Sequence, residues 1–372
     1  MIALITQYYR GLGHSNRTRL IAEEVNIHEE CIIIDQLFKP PLEYKVKHLS
    51  FLGDLDKPKN QDLSKFVMTE HMINHRVELF KKTLDKYKIT TLVCEGFPFC
   101  RHQFADEYFK YFEECKKRGI KIIISVRDFP WDDPHETPLQ DWVNYTQNLV
   151  CKYYAEKILV HGDPNILPLQ SDRTRHANSN SIIKDIEDKI VYTGYVCDSS
   201  QKAHKRTNNI IYVSTGLNKE EGMLLFKEIT KIAKDFPDYR FVMPVANRYL
   251  KTGSSIRDNM IFVDYIPELG KKIQSCAALI TYGGYNTTME VLKSAVPSIF
   301  VPRQDGYKLE QFVRCYVFEP YGYFKVLNNK EFHKLTETLK YVLNNKPKKF
   351  TFDMDGAKKS ANEIVKIHRQ KY

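Results

Sequence analysis

A histidine stands in a glycine-rich turn, Tyr9-Arg10-Gly11-Leu12-Gly13-His14-Ser15-Asn16-Arg17, between an apolar run and a helix-length stretch. Glycines there permit a tight turn and close backbone approach, and a helix N-terminus offers free N–H groups and a positive dipole end to an anion. A neutral imidazole, with a reference pKa of about 6.5, can take the proton of a reacting hydroxyl. The competing reading is a helix-capping histidine with structural hydrogen bonds. G-x-G-H is short of the full G-x-G-x-x-G of a nicotinamide site, for which Asp35 would be the candidate ribose carboxylate.

A second string, Ile280-Thr281-Tyr282-Gly283-Gly284-Tyr285-Asn286-Thr287-Thr288-Met289-Glu290, also follows a strand-like run and opens a helix. Paired glycines with Asn and Thr at a helix start can wrap a diphosphate in backbone N–H groups and hydroxyls, where a bare GG marks only a tight turn. Glu290, one turn inward, can accept hydrogen bonds from ribose hydroxyls. Glu310-Gln311, beyond Pro297 and the Phe300–Arg303 run, can reach a sugar. A third group, Glu95, then Arg127 with Asp128, then His161-Gly162-Asp163, follows apolar runs, either to serve an acceptor or to cap the next helix. Asp54-Leu55-Asp56 and Asp353-Met354-Asp355 are D-x-D triplets of the type that holds a divalent metal, but neither sits in a βαβ nucleotide site, and no metal is expected.

Alternating elements must position these groups. Strand-length apolar runs are Ile2–Thr6, Cys31–Ile34, Thr91–Cys94, Lys121–Val126, Lys157–Val160 and Ile190–Tyr192, then Ile210–Ser214, Arg240–Met243, Met260–Val263, Ala278–Thr281 and Ser298–Val301. Amphipathic stretches such as Asn16–Val25, Met68–Tyr87 and Gln103–Arg118 lie between them. The alternation predicts parallel sheets wound by helices, an α/β chain of two doubly wound, Rossmann-like domains facing a cleft. In such sheets ligands bind beyond the carboxyl ends of the strands, where the motifs fall. The polar stretch Cys197–Asn209 reads as the boundary. The expected division is 1–198, a linker 199–209, 210–350, and a basic C-terminal helix over 351–372.

The chain has 372 residues, 42% hydrophobic and 27% charged. At roughly 100–200 residues per domain this suits two globular domains. No run approaches about 18 apolar residues, so no membrane span is expected. The N-terminal run reads as a first strand and not a signal peptide. Eight scattered cysteines with no C-x-x-C pair argue against a zinc cluster and suit reduced core thiols in a cytoplasmic protein. The net charge of +10 concentrates in the tail, at Lys346, Lys348, Lys349, Lys358, Lys359, Lys366, Arg369 and Lys371. Such a surplus can be a solvated helix face, or can meet an anionic membrane surface, placing the chain peripheral to it, or nucleic acid.

Gly283–Glu290 with Pro297–Pro302 and Glu310-Gln311 resembles the donor site of the peptidoglycan N-acetylglucosaminyltransferase family. The strings EGFPFCRHQF, SVRD, LVHGDP, YTGYV and VSTG resemble predicted glycosyltransferases related to it. The resemblance covers nearly the whole chain. It implies the GT-B architecture, with residues 1–198 on the acceptor side, residues 210–350 binding the nucleotide sugar, and the C-terminal helix packing back toward the N-terminal domain. It implies that Gly11, Gly13 and His14 lie near the reacting centre and that Ser214-Thr215-Gly216 contacts the donor. The backbone of Tyr265-Ile266 would hold the base, Gly283, Gly284, Asn286 and Thr287 the phosphates, Glu290 the ribose and Gln311 the donor sugar. Two departures stand out. Ser214–Gly222 is poor in glycine, and the N-terminal loop has one glycine fewer than the peptidoglycan enzyme.

The expectation is transfer of a sugar from a nucleoside diphosphate, UDP favoured, to an acceptor hydroxyl, inverting and metal-independent. His14 is the expected catalytic base, with Glu95, Arg127 and Asp128 as acceptor-side candidates, Glu95 and Asp128 either orienting His14 or binding the acceptor. No cofactor is expected, since the nucleotide sugar is a substrate. The alternatives are a 2-epimerase or hydrolase of nucleotide sugars, and a non-catalytic nucleotide-sugar or nucleic-acid binding protein.

Overall fold

The computed structural model describes residues 1–7, 13–35, 42–50, 69–128, 140–168, 185–198, 208–214, 219–244, 257–263, 266, 268–303 and 309–370. The chain divides into two units, Met1–Cys197 with Asp353–Tyr372, and Asp198–Phe352.

The first unit runs β1 (Ile2–Thr6), α1 (Gly13–Val25), β2 (Cys31–Asp35), β3 (Lys47–Ser50), α2 (Glu70–Tyr87), β4 (Thr91–Glu95), α3 (Ala105–Lys117), β5 (Lys121–Arg127), α4 (Gln140–Leu149), β6 (Ala155–His161) and β7 (Ile190–Tyr192). Its sheet has the order β3-β2-β1-β4-β5-β6-β7, with every pair parallel. Ile32–Ile34 and Ile122–Ile124 are buried throughout, as they are in a sheet covered by helices on both faces. Each such side chain contributes about 1.5–3 kcal/mol on leaving water. The core on one face gathers Ala3, Ile5 and Cys94 from the sheet with Phe80 of α2 and Tyr108, Tyr111 and Phe112 of α3. Between α2 and α3 lies an ion pair, Arg76 Nε to Glu107 Oε1 at 2.6 Å, with neither side chain exposed.

The second unit runs β8 (Ile210–Val213), α5 (Lys219–Ile232), β9 (Arg240–Pro244), β10 (Met260–Val263), α6 (Leu269–Lys272), β11 (Ala278–Thr281), α7 (Tyr285–Ser294), β12 (Ser298–Phe300), α8 (Leu309–Phe318), β13 (Lys325–Val326) and α9 (Leu335–Asn344). Its parallel sheet has the order β10-β9-β8-β11-β12-β13. Its core joins β-strand isoleucines to Phe226 and Ile229 of α5 and Leu335 and Leu339 of α9.

Helix α10 (Gly356–Arg369) belongs to the first unit, where it packs along α1. Ala361, Ile364 and Val365 are its buried stripe. Lys121, at the start of β5, donates to the carbonyl of Ile367 at 2.6 Å and to that of Gln370, satisfying acceptors at the helix C-terminus.

Two strands depart from the sequence expectation. β3 is Lys-His-Leu-Ser at a sheet edge with no buried residue, and β13 is two residues long. Neither has an apolar period to read. β2, β4, β5 and β6 each run one residue past the apolar stretch, so Asp35, Glu95, Arg127 and His161 are terminal strand residues.

Candidate functional site

Both sheets reverse winding direction at one place. In the first unit β1 has β2 on one side and β4 on the other, and the carboxyl ends of β1 and β4 flank that switch point. Helix α1 starts there at Gly13, and Glu95 ends β4. His14 Nδ1 lies 3.0 Å from Glu95 Oε1, and Arg17, one turn further along α1, pairs with the same oxygen. Glu95 Oε2 accepts from Ser125 Oγ at 2.5 Å. Arg17 and Glu95 are each 2% exposed, and His14 is 13% exposed. Gly96, at φ +91°, makes this packing possible: a Cβ there would sit 3.4 Å from His14 Cε1 and 2.6 Å from Cys100 Sγ.

The contacts fix the histidine's tautomer. A carboxylate only accepts, so Nδ1 carries the proton and donates to Glu95. Arg17 Nη2 lies 3.3 Å from Nδ1 because both groups converge on one oxygen. The lone pair therefore rests on Nε2. Burial holds the imidazole well below the usual histidine range, with the Arg101 and Arg17 charges adding to it and Glu95 opposing. Burial pushes the Glu95 carboxyl upward, but Arg17 and His14 outweigh it and hold the group below the carboxylate range. His161 is lowered to about 3, by burial first and then by Arg17. Both histidines are thus neutral when folded, while the unfolded chain protonates them below about 6.5. The unfolded state binds more protons, so their contribution is complete above that pH and is lost as pH falls. Denaturant midpoints are expected to drop between pH 7 and pH 5, and less steeply in His161→Phe. Equal midpoints at the two pH values would contradict the neutral assignment.

Asp128 is buried just past β5, and Arg127 is half-buried beside it in register with His161. Asp163 accepts from the N–H of Asn165 at 2.8 Å, a local turn contact. Asp35 is engaged by His48 Nε2 at 2.6 Å, Tyr44 at 3.2 Å and Ser15 at 3.4 Å. Asp353 binds Lys359 and the N–H of Asp355. Among the described residues no group of three His, Cys, Asp or Glu could hold a metal. Asp54 and Asp56 lie outside them.

In the second unit the switch point lies between β8 and β11. Ser214, just after β8, donates its N–H to Ile280 at 2.8 Å. After β11 the chain turns through Gly283, at φ +83°, where a Cβ would meet Cys315 Sγ at 2.5 Å. Gly284 is the N-cap of α7, so Asn286 and Thr287 occupy its half-buried first turn. The buried Arg314 donates to the Gly283 carbonyl at 3.0 Å and fixes that turn from behind. Glu290 is half-buried in the second turn. Burial raises the Tyr282 phenol, the charges of Glu310 and Glu290 add to it, and Arg303 opposes. Gln311 is 3% exposed, and among the described residues its Oε1 finds no hydrogen-bond partner, nor does Thr281 Oγ1 at the end of β11. Ile266 is buried. Gly11, Thr215, Gly216 and Tyr265 lie outside the described residues.

Sequence reading gave no role to Arg17, Ser125 and Arg314, and named His161 only as one of the third group, without its partners. The one usable signal was spacing: Arg17 follows His14 by three residues and shares its helix face.

Residues 228–368 match the glycosyltransferase family 28 C-terminal domain. The chain is similar to an uncharacterized UDP-glucosyltransferase of Bacillus subtilis (strain 168), 28% identical over 175 residues, which are 44% of this chain and 42% of that protein. It is also similar to the UDP-N-acetylglucosamine–N-acetylmuramyl-(pentapeptide) pyrophosphoryl-undecaprenol N-acetylglucosamine transferase of Thermosipho melanesiensis (strain DSM 12029 / CIP 104789 / BI429), 27% identical over 138 residues, 37% of this chain and 40% of that one. The matched part thus spans less than half the length of either relative. Among solved structures, UGT2 of Phytolacca americana complexed with UDP-2fluoro-glucose and pterostilbene superposes with a TM-score of 0.57 at 15% identity, covering 99% of this chain and 94% of that one, a likeness of fold. No described helix is long and apolar enough to cross a membrane. The chain has the fold of the GT-B glycosyltransferases, and its residues 228–368 match the glycosyltransferase family 28 C-terminal domain.

Proposed function

We propose that the protein transfers a sugar from a nucleoside diphosphate to an acceptor hydroxyl, with inversion and without a metal. The observation that carries this reading is His14, whose Nδ1 is held by Glu95 so that Nε2 keeps its lone pair at a switch point. UDP is the favoured carrier, since both curated relatives are named for UDP-sugars and the solved neighbour holds a UDP-sugar analogue.

Two charges develop in such a transfer as the anomeric carbon passes through an oxocarbenium-like state. The departing diphosphate gains negative charge, which the N-terminus of α7 and the N–H groups of Gly283, Gly284, Asn286 and Thr287 would stabilise. Ser214, Thr215 and Gly216 would add donor contacts, and the Ile266 backbone would hold the base. Gln311 Oε1 would accept from a sugar hydroxyl, which accounts for its orphaned burial. The acceptor's proton would pass to His14 Nε2, and the resulting imidazolium would be balanced by Glu95. Arg127 and Asp128 are the acceptor-side residues. Exposed Lys346, Lys348 and Lys349 would suit an anionic surface, lipid or nucleic acid.

Glu290 would take the ribose hydroxyls. Glu290→Ala is then expected to weaken donor binding by about 1.5–3 kcal/mol without unfolding the chain. An unchanged donor dissociation constant in the folded variant would remove Glu290 from the site.

Because backbone amides and a helix terminus are assigned the leaving group, turnover is expected to survive EDTA. Loss on chelation, restored by Mn²⁺ or Mg²⁺, would move attention to Asp54 and Asp56. Product analysis with and without an acceptor tests the activity itself. A glycosylated acceptor is the expected product, whereas an epimerised or hydrolysed donor formed without acceptor would replace transfer by epimerase or hydrolase chemistry.

A further inference from the structure

Behind Glu95 the hydrogen bonds continue through the sheet to α10. Ser125 Oγ, which donates to Glu95 Oε2, lies 2.8 Å from His161 Nε2. His161 Nδ1 lies 3.0 Å from Thr193 Oγ1 and 3.3 Å from Ser360 Oγ, and the two hydroxyls are 3.0 Å apart. Ser360 is also 2.6 Å from the carbonyl of Gly356, on its own helix. His161 and Ser360 are fully buried, Thr193 is 1% exposed and Ser125 2% exposed.

Donor and acceptor capacity orders this chain. Ser125 spends its single proton on the carboxylate, so it accepts from His161 Nε2–H. His161, neutral and with Nε2 protonated, has a bare Nδ1 that accepts from Thr193. The groups charging this pocket are Arg17 of α1, Glu95 of β4 and Asp128 after β5. We propose that His161 is a positioning residue for the His14–Glu95 pair, acting through Ser125 and itself seated by Thr193 just past β7 and Ser360 of the C-terminal helix. Glu95 then presents Oε1 to His14 in one orientation, because Oε2 is tied into the sheet. Helix α10 is accordingly part of the apparatus that aims the base as well as a cover for the sheet. The proposal rests on the reading of His14 as the base.

The experiment compares His161→Phe, which fills the space without a hydrogen bond, with His161→Gln, whose amide N–H falls near the position of imidazole Nε2. His161→Phe is expected to lower kcat roughly 10- to 100-fold with the donor KM unchanged, the loss that small misplacement of a reacting group brings. His161→Gln is expected to restore the rate to within about threefold of wild type, a residual attributable to imperfect mimicry of geometry. Imidazole ¹⁵N NMR gives a readout that needs no turnover: the His14 Nδ1–H tautomer should dominate in wild type and in His161→Gln, and give way to a mixture in His161→Phe. If His161→Phe does not fold, Ser125→Ala breaks the same link. It should show the same loss, with no further loss on adding His161→Gln. Wild-type kcat and tautomer in His161→Phe, or equal losses in the Phe and Gln variants, would overturn the proposal. His14→Ala run alongside separates the two claims. Full activity there ends the base assignment and leaves the tautomer ratio to decide on His161, whereas loss there with wild-type behaviour in His161→Phe ends this proposal alone.

Discussion

His14→Ala is expected to lower kcat by about 10²–10⁴-fold, the range for losing a general base. Donor affinity should hardly change, because the diphosphate, ribose and sugar contacts are assigned to residues of the other unit. His14→Asn should fare no better: its amide can donate to Glu95 as Nδ1 does, but cannot take a proton. A structural histidine predicts the opposite, since Asn supplies a hydrogen bond at the start of a helix as well as any residue. Single-turnover rates and donor affinity for both variants separate the readings. A near-wild-type rate in His14→Asn would end the assignment and promote Asp128.

Glu95→Ala should cost stability as well as rate. It removes the carboxylate from an Arg17 guanidinium that is 2% exposed, and leaves Ser125 Oγ facing the space Oε2 filled. Truncating one member of a buried ion pair typically costs about 3–5 kcal/mol, because the other charge stays desolvated. Glu95→Gln keeps the shape and one acceptor, so it should recover part of the stability but little of the rate, as a carboxamide balances no imidazolium. Denaturant midpoints beside kcat for the two variants measure this. A Glu95→Ala protein as stable as wild type would contradict the buried pairing, and full activity in Glu95→Gln would remove Glu95 from the chemistry.

The elements that position these groups were readable because their residues are buried on both sheet faces. Runs such as Cys-Ile-Ile-Ile and Lys-Ile-Ile-Ile-Ser-Val have no other plausible home than a covered parallel sheet. His14, Glu95 and Asp128 were legible by position, as polar residues where such runs stop. β3 was hidden because an edge strand with half-exposed Lys, His, Leu and Ser needs no apolar period. Arg17 was hidden because one arginine on an amphipathic helix reads as a solvent-facing residue; only the fold shows it turned under the sheet end toward Glu95. His161 was legible by position like Glu95, but its link to Ser125 was hidden. A single polar residue at the end of an apolar strand marks a position but not its partners, and here the partners come from sequence separations of 30 to 199 residues. Arg314 escaped notice in the same way, since its partner is a backbone carbonyl 31 residues earlier.

The central claim is that a chain with this histidine and this glycine-turned helix handles a nucleotide sugar. Isothermal titration of UDP-sugars into the wild-type protein, in EDTA, tests it most directly. The account predicts saturable one-to-one binding that persists without metal, is weakened in Glu290→Ala and is retained in His14→Ala. Absence of binding to any nucleotide sugar by the folded protein, or binding indifferent to Glu290, would contradict it.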